Sequence, residues 1–263
     1  MTSSADQAID ALRTGHDKLA TIVNRLRPDD LTRPSGASEW DVSQVLSHLG
    51  SGAQIGLRAL TTALPEGPSI SETNQQVWAR WDAMAPTDRA SGFLKANEAL
   101  VARYEALDSE ARATVRIDLG FLPQPADIAT AGAFRLAEFA FHSWDVRVAF
   151  EPDAALDPEA LEPLLDHVRR LVGFVGHAEV LAGRQASITV RTTDPERAFG
   201  LEFRDSVSLV DEPDRPDGVL TAPAESWLRL VVGRLSAERT PPSVRLTGDL
   251  ISLDDLRRVF PGF

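Results

Sequence analysis

A chain of 263 residues, 43% apolar and 25% charged, is long enough for two modest domains with ordinary cores, which excludes disorder as a description of it. Its net charge is -12, and both halves are acidic: 14 bases face 19 acids up to Phe150, and 13 face 20 beyond it, so neither half offers the cationic surface that nucleic acid or an anionic membrane requires. With no cysteine the protein can form no disulfide, thiol nucleophile or thiolate-held metal site, and any thiol chemistry must use a thiol from outside.

In chain order, Ile9, Leu12, Leu19, Ile22, Val23 and Leu26 form one apolar stripe and predict a first helix that Pro28 ends. The N-terminal stretch has no basic segment followed by an apolar one, and nowhere do eighteen apolar residues run together, so a soluble cytoplasmic protein is expected. A turn-rich stretch, RPDDLTRPSGASEW, leads to Asp41, which can cap a second helix with Gln44 three residues on. Val42, Val45, Leu46 and Leu49 mark the buried side of that helix. LPEGPS then interrupts the pattern; helices are expected at about 71–84 and 88–108, followed by an extended piece, TVRIDLGFLPQP, and a long helix over about 126–150. Four main helices of this length predict a bundle whose sites form between facing helices.

Beyond residue 152 the pattern changes. One more helix, to about Val175, gives way to SITVRTT, GLEFRD, VSLV and GVLTA, which alternate apolar and polar residues as a sheet with one solvated face does. Helices near 223–235 and 252–259 flank a last strand, SVRLTG, and the acidic run DEPDRPDG reads as a solvated turn. The expected class is α+β, with a four-helix bundle over 1–152 and a smaller α+β domain over 153–263.

Within FRLAEFAFHSWDVRVAF, Glu138 and His142 stand four residues apart, a step that turns a helix by about 40° and advances it by about 6 Å, so both side chains leave one face towards one point. Asp145 lies on that face too. Two ligands at this spacing are a common way to fix a divalent metal, and a plain helical ion pair is the competing reading. His48, beside Leu49 on the second helix, is either a core histidine bonded to a carbonyl or acid, or a third ligand that converges with Glu138 and His142 if the two helices pack together. Three protein ligands would leave zinc an open position.

These residues carry a resemblance. Trp40, Val42, Val45, His48 and Leu49, with Glu138, His142 and Asp145 about ninety residues later, resemble the DinB-like mycothiol-dependent maleylpyruvate isomerase family over nearly the whole chain. The resemblance implies a metal-binding four-helix bundle and a C-terminal domain like sterol carrier proteins, with His48, Glu138 and His142 as zinc ligands. It gives Asp145 a supporting place behind a ligand, against the alternative of a surface acid paired with Arg147. It also gives Arg234, in VVGRL, a place at the mouth of the site, where a guanidinium suits a carboxylate; Arg229 is an equal candidate, and a solvated helix-end arginine is the alternative for both. The implied cosubstrates are a low-molecular-weight thiol, mycothiol, and an electrophile that can carry a carboxylate. The reaction would be cis–trans isomerisation of a maleylpyruvate-like enedioate, or transfer of the thiol to the electrophile. A non-catalytic zinc- and ligand-binding protein and a metal-dependent hydrolase with Asp145 as base stay open. Trp78, Trp81, Phe139 and Trp144 are candidate pocket walls that are as readily core, and His16, His167 and His177 read as surface or helix-end residues.

Overall fold

Helix α1 (Ser4–Val23) starts where Ser3 and Asp6 cap each other reciprocally, each side chain accepting from the other's backbone N–H. The computed structural model describes residues 3–65 and 71–262. Helix α1 ends at Asn24, four residues before Pro28, which instead opens a single 3₁₀ turn at Pro28–Thr32. Helix α2 (Val42–Thr62) has the expected Asp41–Gln44 capping box, and Val42, Val45, Leu46 and Leu49 are all fully buried. Burial of each such side chain stabilises the fold by about 1.5–3 kcal/mol. The LPEGPS interruption lies mostly outside the described residues.

Helix α3 (Asn74–Asp82) and helix α4 (Pro86–Glu105) are somewhat displaced from the expected bounds, since Thr73 caps the first and Pro86 supplies the first position of the second. A short helix that the sequence pattern did not suggest, α5 (Ser109–Thr114), follows Asp108 as its cap. The extended piece reduces to two short antiparallel strands, β1 (Arg116–Ile117) and β2 (Ala126–Asp127), and Asp127 then caps α6 (Ile128–Arg147). Helix α1 packs on α4 and α6, and α2 packs on the same two, so the four long helices close a ring around one core. Every residue of α6 from Phe139 to Val146 is buried, so over these two turns the helix is covered on all sides.

Two close approaches set this packing. A Cβ on Gly50 would lie 2.1 Å from the buried ring of Trp81, so α2 must be bare there for α3 to dock. His16, expected at the surface, is instead buried: Asn97 Nδ2 donates to its Nδ1 at 2.9 Å, and its Nε2 lies 3.1 Å from Glu98. The helical pattern put it at the polar margin of α1, and α4 covers that margin.

The chain divides into two compact units, Met1–Ala160 and Leu161–Phe263. Helix α7 (Pro158–Val175) lies almost wholly in the second, whose strands are β3 (Ala186–Thr193), β4 (Arg197–Phe203), β5 (Val207–Val210), β6 (Gly218–Pro223) and β7 (Arg245–Thr247). They form one sheet in the order β5-β4-β3-β6-β7, antiparallel except for the β3–β6 pair. Ile188, Val190, Leu201, Phe203 and Leu220 fill its inner face. Helices α8 (Ala224–Val231) and α9 (Leu253–Val259) complete it, with Trp227 of α8 against Phe199 and Phe260. The class is α+β, a helical region followed by a sheet domain, as expected. His167 is buried rather than exposed, whereas His177 is exposed and pairs with Glu179 at 2.8 Å. Among the described residues no helix is long and apolar enough to cross a membrane.

Gly50→Ala is expected to destabilise the protein by about 1–3 kcal/mol, because the added methyl meets a packed ring, and a urea midpoint will show it. Burial holds the His16 pKa below its usual value, against the raising influence of Glu98. The unfolded chain therefore takes up a proton as pH falls through about 6.5 while the folded protein resists it, so stability declines in that range. Urea midpoints between pH 7 and 5 should fall less steeply for His16→Gln than for the wild type.

Candidate metal centre

Residues Arg135, Glu138, His142 and Asp145 recur along α6 at three- and four-residue steps and so line one stripe of it. Helix α2 packs across that stripe and brings His48, 90 residues earlier in the chain, against Glu138. His48 Nε2 donates to Glu138 Oε2 at 2.9 Å, and His142 Nε2 lies 3.8 Å from the same oxygen. One donor atom from each of the three residues falls within 4.8 Å of the others. Ligand atoms around a tetrahedral zinc ion with bonds of about 2.0–2.2 Å are about 3.3 Å apart, and the two measured separations bracket that value.

The carboxylate of Asp145 is fully buried, not a surface acid, and its Oδ2 accepts from His142 Nδ1 at 2.8 Å. That bond places the ring proton on Nδ1 and turns the lone pair of Nε2 towards Glu138 and His48, the tautomer a metal ligand needs. Burial alone would raise the Glu138 pKa, but the hydrogen bond from His48 and the charges of His142, His48 and Arg135 outweigh it and bring it down to about 2. The donor set, two imidazoles and an ionised carboxylate, thus suits a divalent ion such as zinc.

A loop that the sequence marked only as turn-rich covers one side of the cluster. Gly36 N donates to Asp145 O at 2.8 Å, and a Cβ on Gly36 would meet Asp145 Oδ1 at 2.9 Å, so only glycine lets the loop reach α6 this closely. Ser35 N donates to Trp40 O, which holds the loop folded back on itself. Trp40 then lies against both imidazoles, its ring centroid 5.3 Å from that of His48 and 6.1 Å from that of His142. In the sequence Trp40 is only part of a motif, and its contact with the histidines needs the fold of the loop.

Beside His48 and Glu138 the bundle opens into a cleft of about 440 Å³. Trp78 lines it, half exposed, whereas Trp81, Phe139 and Trp144 are core: Trp81 Nε1 donates to Gln54 Oε1 and Trp144 Nε1 to Ala154 O. Arg135, missed in the sequence although it stands three residues before Glu138, also lines the cleft. A larger hollow of about 690 Å³ near Asp6 and Arg112 contains none of the clustered donors. His16, Asp17 and Glu98 also place donor atoms within 4.8 Å of each other, but Arg13 already engages both carboxylates.

In the second unit, Arg234 is buried, and its Nη1 donates to Val232 O at 2.9 Å. Gly233, with φ 72°, makes the turn that precedes it; a Cβ there would strike Gly262. Arg229 is also buried and forms a pair with Glu225 at 2.7 Å, so neither is a solvated helix-end arginine.

The model of the mycothiol maleylpyruvate isomerase N-terminal domain matches residues 12–147, a span that contains His48, Glu138, His142 and Asp145. Two proteins of Mycobacterium tuberculosis, the uncharacterized proteins MT0763 (strain CDC 1551 / Oshkosh) and Rv0738 (strain ATCC 25618 / H37Rv), are each 27% identical over 168 residues, covering 62% of this chain and 78% of theirs. The crystal structure of a mycothiol-dependent maleylpyruvate isomerase matches with a TM-score of 0.61 at 15% identity, and that of a histidine-to-alanine mutant with 0.63 at 12%. Each covers 95% of this chain and 98% of its own, and at these identities the likeness is one of fold.

Asp145→Asn removes the charge behind His142 and is expected to weaken zinc binding about 10- to 100-fold, which competition against a chelating indicator will measure.

Proposed function

The chain belongs to the family of the mycothiol maleylpyruvate isomerase N-terminal domain, and from that membership we propose that it is a zinc-dependent cytoplasmic enzyme acting with an external thiol, mycothiol. Its reaction is cis–trans isomerisation of a maleylpyruvate-like enedioate, or transfer of the thiol to an electrophile. The observation that carries this reading is the convergence of His48, Glu138 and His142 within the matched span, with Asp145 bonded behind His142.

In this reading His48, Glu138 and His142 hold the metal, which would supply a Lewis-acid position where an incoming thiol loses its proton at neutral pH. Three protein ligands leave room for that thiol. Glu138 contributes negative charge at every physiological pH, because its carboxyl stays ionised far below neutrality. Asp145 holds the His142 ring in one tautomer and orientation, and the indole of Trp40 shields the two imidazoles from water on one side. With no cysteine in the chain, no thiolate of the protein itself competes with the external thiol for the metal. Arg234 is the proposed anion-binding residue, a role that rests on the family resemblance.

Protein purified without chelator is expected to contain about one zinc per chain, and His142→Ala to lose it. Mycothiol-dependent isomerisation or conjugation should fall at least about 100-fold in the same variant, since the metal's charge stabilisation amounts to several kcal/mol. Stoichiometric zinc without thiol-dependent turnover would instead support a binding role, and turnover of an ester or amide without added thiol would support a hydrolase.

A further inference from the structure

The guanidinium of Arg135 sits inside the bundle without an anion. Its Nη2 donates to Asn97 Oδ1 at 2.6 Å and to Leu49 O at 3.0 Å, while its Nε is buried with no hydrogen-bond partner. Among the described residues no carboxylate forms an ion pair with it, and a half-buried cation that lacks a counter-ion is costly. Burial lowers its pKa only to about 10, partly opposed by Glu138, so the charge persists at neutral pH. Two acceptors on neighbouring helices hold the guanidinium in place. Asn97 accepts from Arg135 through Oδ1 and so must direct its amide nitrogen at His16 Nδ1, which therefore carries the lone pair, leaving the ring proton on Nε2 facing Glu98.

Of the charged groups lining the same cleft, Arg135 is the one with a buried, unpartnered guanidinium nitrogen among the described residues, and it stands three residues from Glu138. Arg58 donates to Glu72 O and Asn74 Oδ1, Asp118 Oδ1 accepts from Gly120 N at 2.8 Å, and Glu138 is bonded to His48. The rest of the wall is mostly apolar: Trp78, Leu100, Phe121 and Phe134, the last two in edge contact at 5.2 Å. Trp78 and Phe121 are 45% and 58% exposed, unusual for such large apolar side chains. On the α2 side Gly52 and Gly56, one turn apart, leave the helix surface bare, and a Cβ at Gly52 would lie 3.1 Å from Arg135 Nη1. Glycine in a helix interior costs about 1 kcal/mol against alanine, and here the return is open volume.

We propose that this cleft binds a carboxylate ligand with an apolar, aryl- or alkyl-sized body, its carboxylate on Arg135 and its body between Trp78, Phe121 and Phe134. Arg135 and Glu138 are three residues apart on α6, an axial step of about 4.5 Å, so atoms two or three bonds from the carboxylate come beside His48 and Glu138. That spacing suits an α,β-unsaturated acid whose reactive carbon lies next to the metal centre. Identifying the ligand as the electrophile of the thiol-transfer reaction, rather than as an enedioate, which has no apolar body, rests on the thiol-dependent reading above; its binding in the cleft does not.

The test is calorimetric titration of the full-length, metal-free protein with cinnamate, cinnamyl alcohol and maleate. Cinnamate is expected to bind at least about tenfold more tightly than either of the others, and Arg135→Met to weaken it about tenfold or more. Gly56→Leu leaves Arg135 in place but fills the cleft, and it should abolish cinnamate binding while circular dichroism and zinc content stay those of the wild type. The second variant decides the matter if Arg135→Met fails to fold. Equal binding of cinnamyl alcohol would overturn the role of Arg135, equal binding of maleate would overturn the apolar body, and unchanged cinnamate binding in Gly56→Leu would overturn the cleft itself. Because no metal or thiol is present, failure here is distinguishable from failure of the proposed activity, which zinc content and thiol-dependent turnover report separately.

Discussion

Placing a carboxylate wholly inside a helical bundle is costly unless something charged or hydrogen-bonding faces it, and the contact of Asp145 with His142 Nδ1 at 2.8 Å offsets that cost. The same contact sets the orientation of the His142 ring and hence the direction of its Nε2. Gly36 brings a loop onto the backbone of Asp145, and that loop sets Trp40 against both imidazoles. One buried pair therefore orders a histidine, a loop and a covering aromatic ring, and all three converge on the cluster formed with His48 and Glu138.

The bundle has a second polar layer about two turns earlier along α6. Glu98, His16, Asn97 and Arg135 form a chain of contacts from the surface of α4 to the cleft, each link joining a donor to an acceptor and the last member keeping an unpartnered Nε. The two layers share Glu138, whose low pKa reflects the histidines on one side and Arg135 on the other. Their contrast is instructive. The layer at Asp145 is closed among its own residues, whereas the layer at Arg135 ends on a cation without a carboxylate, at the wall of an apolar cleft. A closed polar layer orients its members, and an open one is suited to receive a ligand.

The second unit has a different basis. Its sheet buries one face in the alternation typical of antiparallel strands, and the Glu225–Arg229 pair together with the turn at Gly233 fixes the backbone that leads into Arg234. The proposed role of Arg234 draws on resemblance, whereas that of Arg135 draws on local geometry.

Much of the architecture is local and was legible in the residues: the Asp41–Gln44 cap, the apolar stripe of α2, the alternation in the strands, and the common face of Glu138, His142 and Asp145 all depend on spacing along one element. What spacing could not decide is which faces come together. His16 reads as a margin residue until α4 covers it, and Arg135 and Trp40 acquire meaning only once α2, α6 and the loop at Gly36 meet. Helix α6 gave little away beyond its one polar stripe, because apolar residues surround that stripe over the buried turns from Phe139 to Val146 and leave no solvated face to mark an orientation. Its four functional candidates lie on one line by helical geometry, but the arrival of His48 from a segment 90 residues distant, and the cleft left open by Gly52 and Gly56, are products of packing between helices, and no periodicity within either helix contains them.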